Sequence, residues 1–155
     1  MTDRPVQLYS AANARLGLQD FFAGATTVWA WQFRVDQKFL DHMLKDAVRL
    51  HTMKIIIDAK QSTPEPLHCE LSIALHLRRW AKNRTMHRKL WLAPNEHRMF
   101  LTTANATLGS WMMAENDHAL ITDPEIVTNA SLEFAHAWTR LPQQSAALDS
   151  GARPT

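Results

Sequence analysis

Apolar and polar positions alternate from Thr26 to Val35, with Val28, Ala30, Gln32 and Arg34 on one side and Trp29, Trp31, Phe33 and Val35 on the other. A period of two is that of an extended strand, whose successive side chains point to opposite faces. From Asp36 the period lengthens. Phe39/Leu40, Met43/Leu44 and Ala47/Val48 recur with helical spacing, which predicts an amphipathic helix from Asp36 to Leu50. Met53-Lys54-Ile55-Ile56-Ile57-Asp58 is a short apolar run that suits a buried parallel strand. A second helix is predicted over Leu67–Lys82, with Leu67, Leu71, Ala74, Leu75 and Arg78 on one side. His118–Thr122 reads as a strand. A closing helix over Pro124–Leu141 carries the stripe Val127, Ala130, Phe134, Ala137, Trp138 and Leu141, and Pro124 marks its start.

The chemistry lies between the second helix and the last strand. His87-Arg88-Lys89 sets an imidazole and an ammonium two residues apart, and in an extended segment these share a face. Thr102-Thr103-Ala104-Asn105 follows, so hydroxyls and an amide return beside that pair on an adjacent strand. A neutral imidazole attacks phosphorus, and an ammonium, an amide and hydroxyls hold phosphate oxygens. Such a set cleaves a phosphodiester with no metal and no cofactor.

These residues resemble the signature of the phospholipase D superfamily, which runs His-x-Lys, four residues, Asp, six residues, Gly-Ser-x-Asn. Set against it, His87, Lys89 and Asn105 take the named places, Thr103 stands for Ser, Thr102 for Gly, and Pro94 for Asp. The family uses that Asp mainly as a structural hydrogen-bonding residue. The likeness extends over roughly residues 5–141. Val6–Ser10 corresponds to the opening strand, and the strand–helix–strand order through Asp58, with polar Ala59-Lys60-Gln61-Ser62 behind it, is similar to small single-motif members.

The resemblance implies an α/β fold, with a mixed, mainly parallel sheet flanked by helices on both faces in one domain over residues 1–141. It implies His87 as nucleophile, Lys89 and Asn105 as neutralisers of transition-state charge, and Thr103 as a hydroxyl donor. The place of the family's acidic residue, which orients the histidine, falls at Glu115, Asn116 or Asp117, with Glu115 a candidate carboxylate. Arg84, Arg88, Thr102 and Trp91 are candidate substrate-binding residues. A chain with one motif completes its site by pairing with a second copy, so a homodimer follows.

Charge agrees with a polyanionic substrate. From Arg78 to Arg98 seven Lys and Arg residues face Glu96 alone, so this window is +6 within a chain of net +2 and the remainder is −4. Nucleic acid is therefore the expected partner, and Trp80 and Trp91 either stack on its bases or belong to the core or a dimer interface. The remaining histidines, His42, His51, His68, His76, His97, His118 and His136, form no metal-ligand spacing. In Gly109-Ser110, Met112 takes the place where the signature needs Asn. No signal peptide or membrane-length run occurs, which points to a cytoplasmic protein without stable membrane insertion. The single Cys69 fits a reducing compartment and falls within the predicted second helix. The tail over residues 142–155, rich in Ser, Ala, Gly and Pro, is expected to be disordered.

A metal-independent endonuclease cleaving DNA or RNA through a phosphohistidine is the function expected. Two other classes share these residues: a phospholipid phosphodiesterase, with Trp111-Met112-Met113 as an apolar rim, and a degenerate nucleic-acid-binding or assembly protein.

Overall fold

The computed structural model describes residues 4–58, 67–69, 73–80, 86–113 and 115–141. The strands are β1 (Val6–Tyr9), β2 (Thr27–Gln32), β3 (Thr52–Asp58), β4 (Ala74–Trp80), β5 (Leu90–Ala93), β6 (Arg98–Thr102) and β7 (His118–Ile121). They form one sheet in the order β1-β7-β6-β5-β2-β3-β4. Helices α1 (Ala11–Gly24), α2 (Gln37–Met43) and the short α3 (Leu108–Trp111) pack on one face, and α4 (Pro124–Arg140) on the other.

The α/β class and the mixed sheet with helices on both faces are as expected. The balance of pairing differs. Only β2–β3 and β3–β4 are parallel, whereas β2–β5, β5–β6, β6–β7 and β1–β7 are antiparallel. The β5–β6 connection is a turn too short for a crossover, and only antiparallel neighbours can be joined that way.

Period-two alternation places the two cores. Val28, Ala30, Met53, Ile55, Trp91 and Phe100 point toward Leu18, Phe21, Phe22, Phe39 and Leu40 of α1 and α2. Trp31, Ile56, Leu92 and Met99 point the other way, toward Val127, Phe134 and Trp138 of α4. Each of the Val, Leu, Ile, Phe and Met side chains among them, fully buried, contributes about 1.5–3 kcal/mol.

Helix α4 matches its predicted span, with the Asp123 carboxylate accepting from Glu125 and Ile126 N–H at its start. Helix α2 is shorter than predicted. Asp36 caps it by accepting from Phe39 N–H, and after Met43 the chain runs in turns in which Ala47 N–H donates to Leu44 and Leu50 N–H to Ala47. Ala47 and Leu50 still reach the core, while Val48 is exposed. Helix α1 was not anticipated. Its buried Ala14, Leu18, Phe21 and Phe22 carry helical spacing, but Gly17 interrupts the pattern. The Tyr9 ring occupies the space a side chain would need there, 2.7 Å from an ideal Cβ. A close packing contact thus offsets the roughly 1 kcal/mol a mid-helix glycine costs.

The predicted helix over Leu67–Lys82 is replaced, in its described part, by strand β4, and Cys69 lies outside any helix. Ile73, Leu75 and Leu77 alternate as well as the helical set recurs, and both periods fit the same letters. The strand prevails because it pairs in parallel with all seven residues of β3, which would otherwise be an open edge. It also packs Leu75 and Leu77 against the first core. Ala59–Ser62, Arg84 and the tail over residues 142–155 lie outside the described residues.

Candidate active site

The C-terminal ends of β2, β3 and β4 lie along one edge of the sheet. Antiparallel pairing brings the start of β5, the end of β6 and the start of β7 to that same edge. His87-Arg88-Lys89 sits just before β5. Thr102 N–H donates to the Lys89 carbonyl at 3.2 Å, so Lys89 lies beside Thr102 in continuation of the Leu90–Leu101 register. Behind this segment the buried Asp58 carboxylate, at the end of β3, accepts from Met86 N–H at 2.8 Å.

Phe33, one residue past β2, organises the exposed groups. The His87 ring stacks on it with centroids 4.4 Å apart and planes within 15°. Lys89 Nζ lies 5.7 Å from the same ring centroid and donates to the His87 carbonyl at 3.1 Å. Among the described residues no side chain hydrogen-bonds the His87 imidazole, which is exposed. Two residues on, Val35 pairs with Ala106: Ala106 N–H donates to Arg34 O at 2.9 Å and Asp36 N–H to Ala106 O at 3.0 Å. The segment Phe33–Asp36 therefore touches His87 at one end and clamps the neighbour of Asn105 at the other. Asn105 Oδ1 is buried without a hydrogen-bond partner. A buried orphan acceptor of this kind calls for a ligand or water, because leaving it unpaired costs about 1–3 kcal/mol.

The Thr102–Asn105 turn is held by its own hydroxyls. Thr103 Oγ1 donates to Asn116 Oδ1 at 3.0 Å and accepts from Asp117 N–H at 2.9 Å, and Asn116 Nδ2 donates to Ser110 O at 2.7 Å. Thr102 Oγ1 lies 2.9 Å from His118 Nδ1 and accepts from Ala104 N–H at 2.9 Å. The His118 ring is buried against Trp111, with centroids 4.5 Å apart. Burial lowers its pKa, against a smaller opposing effect of Asp117.

Several candidate residues take other places. Trp91 is fully buried between Phe22 and Phe39, so it is a core residue and reaches no substrate. The Thr102 and Thr103 hydroxyls are engaged within the turn, which makes them its framework. Glu115 is exposed and forms no hydrogen bond or ion pair with His87, and within that cluster it is Asn116 and Asp117 N–H that bind Thr103. Arg88 is exposed, paired with Glu133, with its guanidinium 4.3 Å from the Trp31 ring centroid. Met112 and Met113 are exposed beside buried Trp111.

Pro94 starts a 3-10 turn (Pro94–Glu96) at the far end of β5, a strand's length from His87. Glu96 in that turn takes hydrogen bonds from Thr26 N–H and Oγ1, at 3.3 and 3.0 Å. The place of the family Asp is thus remote from the His87 edge. The spacing also needs correction. Counted from His87, the signature ends at Ala104, so this chain has one residue more before Asn105. Since β5 and β6 pair without a break, that residue falls in the 94–97 turn or after Leu101.

Phe33, Asp58, Gln32 and His118 were not among the sequence candidates for this edge. Gln32 is buried, donates to Leu90 O at 3.3 Å, and leaves Oε1 unpartnered. A glutamine inside an otherwise apolar strand was the available signal. Among the described residues no three His, Cys, Asp or Glu side chains cluster as a metal site requires.

No protein-family model and no curated protein matches the chain. Solved structures do. NucT from Helicobacter pylori is similar at TM-score 0.73 and 13% identity, covering 90% of this chain and 98% of NucT. Nuc from Salmonella typhimurium, a phospholipase D family member, is similar at TM-score 0.67 and 15% identity, covering 91% and 98%. Yeast tyrosyl-DNA phosphodiesterase is similar at TM-score 0.53 and 14% identity over 74% of this chain and 29% of that one. The chain has the phospholipase D fold.

Proposed function

We propose that this protein is a metal-independent phosphodiesterase, an endonuclease acting on DNA or RNA. The observation that carries the reading is the shared seat on Phe33. It presents an imidazole, to which no described side chain hydrogen-bonds, and an ammonium side by side at the strand-end edge. The near-complete coverage of NucT and Nuc supports it, as does the likeness to a phosphodiesterase whose name specifies tyrosyl-DNA.

A ring nitrogen of His87 attacks phosphorus, forming a P–N bond as the P–O bond to the leaving group breaks. His87 of a second copy, protonated, gives its proton to the leaving oxygen. Water then attacks phosphorus, forming a P–O bond as the P–N bond to His87 breaks, and its proton passes to the second His87, which restores both. Lys89 offsets the charge of the five-coordinate transition state, and the Asn105 Nδ2 amide N–H donates a hydrogen bond to its oxygens. One motif supplies one histidine, which is why the site needs two subunits.

The test is incubation with labelled single- and double-stranded DNA and RNA in EDTA, beside His87→Ala. Cleavage by the native chain alone is expected, and cleavage by a well-folded His87→Ala protein overturns the assignment. One observation favours a second reading, a binding protein that has lost catalysis: no described carboxylate reaches His87 to orient it. Binding in EDTA without product from any substrate selects that reading. Cleavage of phospholipid vesicles and not of nucleic acid selects a lipid phosphodiesterase with Met112 and Met113 at its rim.

A further inference from the structure

Arg88 points opposite to His87 and Lys89, as alternate residues of an extended segment do. It opens onto the other face of the sheet, where cations and indoles are interleaved. Helix α4 packs over β2, β5 and β6. At β3 and β4 it contributes Trp138 near its end, whose carbonyl accepts from Arg78 Nη1. On that side β3 and β4 present a row set by their register, Lys54 beside His76, Ile56 beside Arg78 and Asp58 beside Trp80.

The groups of this row sit close to aromatic faces and are not sealed by them. Lys54 Nζ is 5.5 Å from the Trp138 ring centroid and the Arg78 guanidinium 4.3 Å from it. Trp80 meets Trp31 edge to face at 5.7 Å, and Arg88 lies over Trp31. His76 is exposed, and Lys54, Arg78 and Trp80 are partly so. Asp58 is buried, and Glu133 pairs with Arg88. Among the described residues this row presents no other carboxylate. Same-face positions on a strand are about 7 Å apart, so the row from Trp80 to His76 extends about 13 Å from the candidate active edge.

We propose that this row, Arg88–Trp80–Arg78–Lys54–His76, is a second binding tract for a single nucleic-acid strand, carrying the part of the substrate that lies beyond the cleaved bond. Cations at strand spacing match a phosphate backbone. A partly exposed indole among them gives a base its stacking face, which a duplex keeps covered. The tract rests on the phosphodiesterase reading for its role, but its binding is measurable without catalysis.

The test uses full-length His87→Ala protein and fluorescein-labelled oligothymidylate of three and of twelve nucleotides, titrated by anisotropy over a range of salt. Lys54→Gln is expected to weaken the twelve-mer several-fold and to lower the slope of log K against log salt by about 0.7, one phosphate contact on a single strand. Trp80→Ala is expected to weaken it about fivefold or more with the slope unchanged, because stacking releases no counterion. His76→Glu, at an exposed position, is expected to weaken the twelve-mer and carries the test alone if Lys54→Gln or Trp80→Ala unfolds. The three-mer and hydrolysis of bis(4-nitrophenyl) phosphate by chains with native His87 should not change. Unchanged twelve-mer affinity in the folded variants overturns the tract, as does equal competition by inorganic polyphosphate of matched charge. Tight, variant-sensitive binding by a chain that cleaves nothing keeps the tract and removes the nuclease.

Discussion

The Asp58 carboxylate and the Met86 backbone N–H, 28 residues apart in sequence, are joined by a buried 2.8 Å hydrogen bond. This bond fixes the segment carrying His87 and Lys89 to the end of a central strand. Asp58→Ala leaves the N–H unpaired, and the loss is expected to be about 1–3 kcal/mol in urea unfolding. Asp58→Asn keeps an acceptor oxygen and should lose less. Cleavage should fall in the same order. Alanine at wild-type stability and activity would remove this anchor from the account.

Phe33 bears on activity more than on stability, since its ring faces the two reactive side chains at the sheet edge. An aromatic pair contributes about 0.5–1.5 kcal/mol, so Phe33→Leu should lower kcat up to about tenfold, with Phe33→Tyr restoring it. Equal rates for the leucine and tyrosine proteins, with unchanged melting, would show that the stack does not orient His87.

The turn bearing Asn105 makes Asn116, and not Glu115, the sensitive member of its cluster. Asn116→Ala removes the acceptor for Thr103 and the donor to Ser110, about 1 kcal/mol each. The expected result is a lower melting temperature and reduced cleavage. Glu115→Gln should match the native chain in both assays. The reverse ranking would restore Glu115 as the residue that orients His87.

Strand alternation at Thr26–Val35, the apolar run ending in Asp58, and the stripe of α4 were legible because each period had one reading. Residues 73–80 had two, and the choice lay with a long-range partner, β3, that no local window contains. The same limit applies at the site. His87, Lys89 and Asn105 are recognisable by type and order. That Trp91 faces inward is a matter of sheet parity, and that Phe33 backs His87 or Asp58 holds Met86 depends on register. Thr102 and Thr103 were recognised as hydroxyls, but their partners come from the start of β7.

Cys69 is poorly suited to a covalent role at neutral pH. Burial, with Asp41 adding to it, pushes its thiol up to about 11. Alkylation by iodoacetamide at pH 7.5 should therefore be far slower than for an unfolded control, since only the thiolate reacts. Labelling at the unfolded rate would mean the segment opens readily.

His118 links the turn to acid stability. In the fold, burial lowers its pKa below the ordinary value of 6.5, and His42 shifts the same way, through burial and then Lys45 and Arg15. In the unfolded chain both take up protons at ordinary pH values. Between 6.5 and the lower folded pKa the unfolded state therefore binds more protons, and stability rises with pH. The contribution is complete above 6.5, drains away as pH falls toward the folded value, and is flat below it. Urea midpoints measured from pH 8 to pH 4 should show this loss, beyond that of the carboxylates. His118→Asn offers an amide near the Nδ1 position for Thr102 and cannot titrate, so its midpoint should fall less steeply. An identical pH profile would show that His118 keeps its proton affinity on folding, and that its burial against Trp111 costs the charged form nothing.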